Sequence, residues 1–279
     1  MFNKYSKKMK ITIFTHMTNP EERMDPWREA LDCYKDFADE VVTVGENWPY
    51  EFKWEQIGKI FQEGFEKSSG DWVINMPTDM IFHEKDKSKL LNALQEHSKS
   101  PAIVLPKFKF FSYKRCEFKN FDTYAINKKN FPNVKFNGGG DLCLATLNGI
   151  ILDQSNTPIV NVPLWNYDTT FRTKDIISED RARFARAWYR QFQSWDDRGG
   201  ETPEEAYDEW IKMVMHRLPN HIFKKNIKDH PVYIQNKLQN LNYEQFGYNC
   251  FGLLDQIKPN ANAYINLLKN KIRYPMVKI

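Results

Sequence analysis

Residues 10–105 alternate short runs rich in β-branched residues with segments of helical periodicity, and few architectures accept that order. The β-rich runs are 10–15 (KITIFT), 40–44 (EVVTV), 71–76 (DWVINM) and 102–105. Between them, helical spacing is expected over 27–37, through Trp54, Ile57, Phe61 and Phe65, and over 88–97. Asn19-Pro20, Asp25-Pro26, Gly45, Gly70 and Pro77 punctuate the series. Strands alternating with helices of this length predict βαβ units on a mainly parallel sheet, an α/β fold. Ligands of such sheets bind beyond the carboxyl ends of the strands. That rule puts Thr15, Glu46 and Asp79 on the expected binding edge.

The alternation stops after Leu105. Lys107, Lys109, Lys114 and Arg115 interleave with Phe108, Phe110, Phe111 and Tyr113, which predicts bent or antiparallel strands. Asn137-Gly138-Gly139-Gly140-Asp141 follows, and its three glycines permit positive φ and close approach of the backbone to a ligand. Beyond Trp165 helices are expected over 178–192 and 203–215, with Ser178 and Thr202 as N-caps. At 279 residues the prior is roughly two domains, and the boundary is drawn near residue 175, giving 1–175 and a helical region 176–279.

Composition narrows the function classes. Forty Lys and Arg against 36 Asp and Glu give a net charge of +4, which permits anionic ligands without demanding a nucleic acid. Cys33, Cys116, Cys143 and Cys250 lie far apart with no CxxC or CxxH spacing, so they are read as reduced thiols in a cytoplasmic protein. No apolar run approaches the length of a spanning helix, so membrane association is expected to be absent or peripheral.

The segment GDWVINMPTDMIFHE, a strand ending in a turn that presents Asp79, resembles the central motif of family 2 glycosyltransferases, enzymes of the GT-A fold. The opening ITIFTHMTN and the later FADEVVTVGEN resemble the first βαβ unit of one branch of that family. VNVPLWNYDTTFRTKDIISEDRARFARAWY is similar to a further segment of the same branch, with Tyr167 and Arg172 at its Tyr and Arg positions. Pro77 stands where the family's first motif Asp would be, Met80 replaces an acidic residue, and Asn166 stands in place of a His.

The resemblance implies a GT-A domain over 1–175 that binds a nucleotide-diphosphate sugar and transfers the sugar to an acceptor hydroxyl, with inversion. The region 176–279 is then the acceptor or partner interface. It also implies a divalent metal, Mn²⁺ or Mg²⁺, held by Asp79 against the diphosphate, where a hard cation neutralises the departing charge. Because two metal positions are replaced, Lys107, Lys109 and Arg172 are candidates to offset that charge instead. Thr15, Glu46, Asp79, Lys107 and Arg172 are the expected donor-binding residues. Asp141, after the three glycines, is the expected general base. Two other classes remain open. One is a sugar-nucleotide or glycan-binding protein that kept the fold and lost turnover. The other is a single-strand nucleic-acid module using the basic and aromatic stripe from Lys107 to Lys119, although no DNA partner is expected.

Overall fold

The structure is a computed structural model, and residues 8–137, 143–277 and 279 are described. The elements in order are β1 (Ile11–His16), α1 (Trp27–Phe37), β2 (Glu40–Val44), α2 (Glu55–Lys67), β3 (Trp72–Asn75), β4 (Met80–Phe82), α3 (Lys87–Glu96), β5 (Ala102–Ser112), β6 (Arg115–Ile126), a small meander β7 (Lys135–Phe136), β8 (Ala145–Leu147) and β9 (Ile150–Ile151), then β10 (Leu164–Asn166), α4 (Lys174–Phe192), α5 (Pro203–Arg217), β11 (Phe223–Lys224), α6 (Val232–Gln239), α7 (Phe246–Asn249), α8 (Leu253–Gln256) and α9 (Ala261–Arg273). The main sheet has the order β2-β1-β3-β6-β5-β10-β4, with β11 added to β6. β2, β1, β3, β5 and β10 run one way, and β6 and β4 run against them. The architecture is therefore α/β, a mainly parallel sheet flanked by helices, with helical segments following β10.

The expected helix 27–37 and strand 40–44 have the observed bounds of α1 and β2. Three differences have plain physical causes. The strand expected over 102–105 runs on to Ser112, because β6 offers a full antiparallel partner from Arg115 to Ile126. Met80–Phe82, for which no strand is expected from sequence, forms β4 because β10 pairs with it. Helix α4 starts four residues before Ser178, capped by the Thr173 side chain, and the Ser178 hydroxyl donates back to Lys174 O. Thr202 does cap α5, in a reciprocal box with Glu205 that satisfies two end groups at once.

The β-period of two alternates the β5 side chains, and a register shift against β6 between Lys107 and Phe108 changes which parity meets the core, from Ile103 and Leu105 before it to Phe108 and Phe110 after it. Phe108 and Phe110 enter the main core, where Phe110 stacks 5.2 Å from both Trp165 and Tyr167. Lys107 and Lys109 alternate with them and enter ion pairs with Asp122 and Asp168. The same core takes Ile11 and Ile13 of β1, Tyr34 of α1, and Ile234 and Leu238 of α6. On the opposite face of the sheet, Phe14, Val73 and Phe65 pack together.

Helix α2 reaches β1 through Gly64. A Cβ there would lie 2.2 Å from the Phe14 ring. Ala is worth about 1 kcal/mol over Gly in helix propensity, yet overpacking a filled core costs about 1–3 kcal/mol. Gly64→Ala is therefore expected to lower the thermal midpoint, measured by calorimetry. A raised midpoint would mean that α2 does not sit this close to the sheet.

Candidate functional site

At the carboxyl ends of β1 and β3 the chain gathers polar groups rather than closing the core. Thr15 Oγ1, His16 Nε2 and Asn75 Oδ1 are buried atoms with no hydrogen-bond partner among the described residues, and so is Asp79 Oδ1 in the turn after β3. A buried polar group left unpaired costs about 1–3 kcal/mol. Several at one sheet edge mark a surface built to meet something.

Beside them lies a cavity of about 200 Å³ lined by His16, Thr18, Arg23, Trp48, Ile57, Ile60, Phe61, Asp180, Arg183 and Phe184. His16 stacks on Phe61 of α2 with ring centroids 4.8 Å apart. Burial, and then the neighbouring Arg23 charge, pull the His16 imidazole down to about 4, so it is neutral near pH 7. The far wall is held in place by α4. Arg183 Nε donates to Tyr50 O at 2.7 Å, Arg186 and Arg190 pair with Glu51 at 2.6 and 2.8 Å, and Arg190 donates to Phe52 O at 2.8 Å. These arginines, spaced along α4, fasten the loop that carries Trp48 over the strand ends.

Behind the cavity is an ionic cluster. Arg172, 0% exposed, contacts Asp25 at 2.6 Å, Asp180 at 2.9 Å and Asp168 at 3.5 Å. Lys109 and Arg181 also contact Asp168, at 2.6 and 3.1 Å, and Arg23 lies 3.3 Å from Asp180. Asp79 is in electrostatic reach of Asp25, Asp168, Lys109 and Arg172. Four carboxylates (Asp25, Asp79, Asp168, Asp180) thus face four cations (Arg23, Lys109, Arg172, Arg181).

Within this neutral set the acids differ. Burial, reinforced by the charges of Asp168 and Asp25, pushes Asp79 up to about 6. Asp168 is held well below the usual carboxylate range: Lys109, Arg181 and Arg172 overcome the opposing effect of its burial. Its side chain is 24% exposed, against 5% for Asp180 and 2% for Asp25, so it is the most open of these three.

The structure brings together some of the residues singled out from sequence and separates others. Thr15, Asp79 and Arg172 belong to this edge, while Glu46 is exposed in the turn after β2. Arg172 is a correction in one respect: three carboxylates occupy its guanidinium, so it organises the cluster instead of standing free for a phosphate. Lys107 is buried against Asp122. Asp141 lies outside the described residues. Lys107 and Lys109 are both buried and paired, so the stripe considered for single-stranded nucleic acid does not present them as an exposed basic face. Asp25, Asp168 and Asp180 were not singled out from sequence. Their one local signal is the i,i+4 spacing of Asp168 and Arg172.

His83 caps the turn before α3, its Nδ1 accepting from Lys85 N at 3.5 Å. His230 is a satisfied core residue, with Nδ1 2.8 Å from the Tyr167 hydroxyl and Nε2 2.8 Å from Tyr113 O. Among the described residues no three His, Cys, Asp or Glu side chains gather into a set that could hold a metal ion. Of the described carboxylates at this edge, Asp79 alone offers an oxygen with neither hydrogen bond nor ion pair, which suits a cation whose other ligands arrive with a diphosphate.

No protein-family model matches the chain, and no curated protein matches it. Among solved structures, the crystal structure of S. aureus TarS 1-349 is similar at a TM-score of 0.38 and 12% identity, covering 74% of this chain and 79% of that one. A second crystal structure of S. aureus TarS is similar at a TM-score of 0.32 and 10% identity, covering 83% of this chain and 52% of the other, about half its length. The α/β assignment rests on the strand order and directions of the sheet itself.

Proposed function

We propose that this chain is a GT-A glycosyltransferase that moves a sugar, with inversion, from a nucleoside-diphosphate sugar to an acceptor hydroxyl. The observation that carries the reading is the concentration of unpartnered buried polar atoms at the carboxyl edge of β1 and β3, next to an aromatic-walled cavity. An open α/β sheet binds nucleotides at that edge. The base would enter between Trp48, Phe61 and Phe184, with His16 Nε2 as a neutral hydrogen-bond acceptor or donor, and Thr15 and Glu46 toward base and ribose.

The diphosphate would then lie toward Asp79 and Lys109. A divalent cation entering with it would use the free Asp79 oxygen and supply charge neutralisation for the departing nucleotide. Lys109 and Arg181, both on Asp168, would offset charge from the protein side, with Lys107, held by Asp122, as a further cation. Asp141 is the proposed general base, taking the acceptor proton as the hydroxyl attacks. Residues 1–175 would form the donor side together with Asp180, Arg181, Arg183 and Phe184 of α4, and the rest of 176–279 the acceptor or partner side.

The four-against-four charge balance around Arg172 favours a second reading, a sugar-nucleotide-binding protein without turnover, because it leaves little free positive charge for a leaving group. A thermal-shift screen against UDP, GDP, CDP, ADP and their sugar conjugates, each with Mn²⁺, Mg²⁺ or EDTA, separates the readings when donor consumption is followed in parallel. One nucleotide at about 100 times its Kd should stabilise the fold by about 2.7 kcal/mol. A shift with donor consumption is the expected result, a shift without consumption favours the binding protein, and no shift with any nucleotide removes both.

A further inference from the structure

Helix α9 is turned inside out. Its docked side carries Ala263, the one fully buried residue of the helix, with Asn266, Leu267 and Asn270 around a cavity of about 420 Å³ shared with Glu117, Lys119 and Asn220. Its opposite side presents Tyr264, Ile265, Leu268 and Ile272 to solvent, the last two 60% and 83% exposed. The spacing i, i+4, i+8 through Tyr264, Leu268 and Ile272 puts these residues in one stripe along a helix about 20 Å long. An amphipathic helix ordinarily turns such a stripe to the core. Exposed apolar residues elsewhere, such as Val232, Tyr243 and Ile150, are scattered over separate elements.

The charge around the stripe identifies what it meets. From Gln256 to Ile279 the sequence contains Lys258, Lys269, Lys271, Arg273 and Lys278 and no Asp or Glu. At 100° per residue, Lys269 falls on one flank of the stripe and Lys271 on the other. Among the described residues neither they nor Arg273 forms a salt bridge, although exposed lysines on α2 do. Protein interfaces deplete lysine, whereas an apolar stripe edged by unpaired cations is what an anionic lipid surface attracts. Long lysine stems can lie along the acyl boundary with their charges among the headgroups. Among the described residues no helix is long and apolar enough to cross a membrane, so the contact is with the surface.

We propose that α9 seats this protein on anionic lipid bilayers, with Tyr264, Ile265, Leu268 and Ile272 entering the interface and Lys269 and Lys271 meeting the headgroups. The test is co-sedimentation of the full chain with phosphatidylcholine vesicles, with and without about a quarter phosphatidylglycerol. Binding should be about tenfold or more tighter with the anionic lipid and should weaken as salt rises. Leu268→Asp with Ile272→Asp should cut it by about tenfold or more, and Lys269→Gln with Lys271→Gln should remove the preference for anionic lipid. Both pairs lie on the solvent side, and an unchanged thermal midpoint verifies that the fold survives. Tyr243→Ser, at an exposed site on another element, should bind as the parent does. Absence of binding, equal binding to both vesicle types, an equal loss in Tyr243→Ser, or a concentration-dependent dimer abolished by the Leu268 and Ile272 pair would each overturn the proposal. The last would make a second copy of the chain the occupant.

Discussion

Asp79→Asn raises the stability of the protein near pH 7 and removes its response to nucleotide. The sign follows from where the proton sits. The Asp79 carboxyl titrates near 6 in the folded chain against an ordinary value of 3.8. Below about pH 4 both folded and unfolded forms carry the proton and the site costs nothing. As pH rises toward 6 the unfolded chain ionises first, so folding loses stability, and above 6 the loss is complete. A shift of about two units corresponds to at most about 3 kcal/mol. Asparagine removes the charge, keeps an oxygen in place, and offers an N–H₂ to the neighbouring Asp25 or Asp168. Thermal midpoints across pH 4–8 should therefore separate variant from parent progressively above pH 4, by several degrees at pH 7. The nucleotide shift of the parent should be absent in the variant. A variant less stable at pH 7, or one that keeps both nucleotide shift and turnover, would take Asp79 out of the site.

Arg172→Met is the most destabilising single change expected at this edge. It leaves Asp25, Asp168 and Asp180 without the cation they share. Breaking a buried pair by deleting one partner costs about 3–5 kcal/mol; Asp25 loses its 2.6 Å contact, while Asp168 keeps Lys109 and Arg181 and Asp180 keeps Arg23. Urea unfolding should show a fall of that size with little change in slope, and Arg172→Lys should recover only part of it, since an ammonium cannot span three acids as a planar guanidinium does. A stable Arg172→Met protein that loses only nucleotide affinity would return Arg172 to the role of a direct donor ligand.

Residues 10–105 disclosed their architecture because the determinants are local. β-branched runs, helical spacing and Gly or Pro stops fixed α1 and β2 to the residue, and the rule that ligands bind at carboxyl strand ends led to Thr15 and Asp79. Partners supplied by distant segments were not legible. β5 extends to Ser112 because β6 is there, and β4 exists because β10 lies beside it. The N-cap of α4 moved from Ser178 to Thr173 because side chains of one type compete for the same role over a few residues.

The candidate site divides the same way. Sequence alone determined that a lone carboxylate closes the third strand of an α/β sheet and that aromatics and arginines follow in helical order. Only the tertiary structure decided that Arg172 is enclosed by Asp25, Asp168 and Asp180, that α4 pins the Trp48 loop, and that α9 faces its apolar stripe outward. Ion pairing and burial depend on residues more than a hundred positions apart, such as Asp25 with Arg172. A charge's partner, and so its freedom to act, is set by that closure and not by its neighbours in sequence.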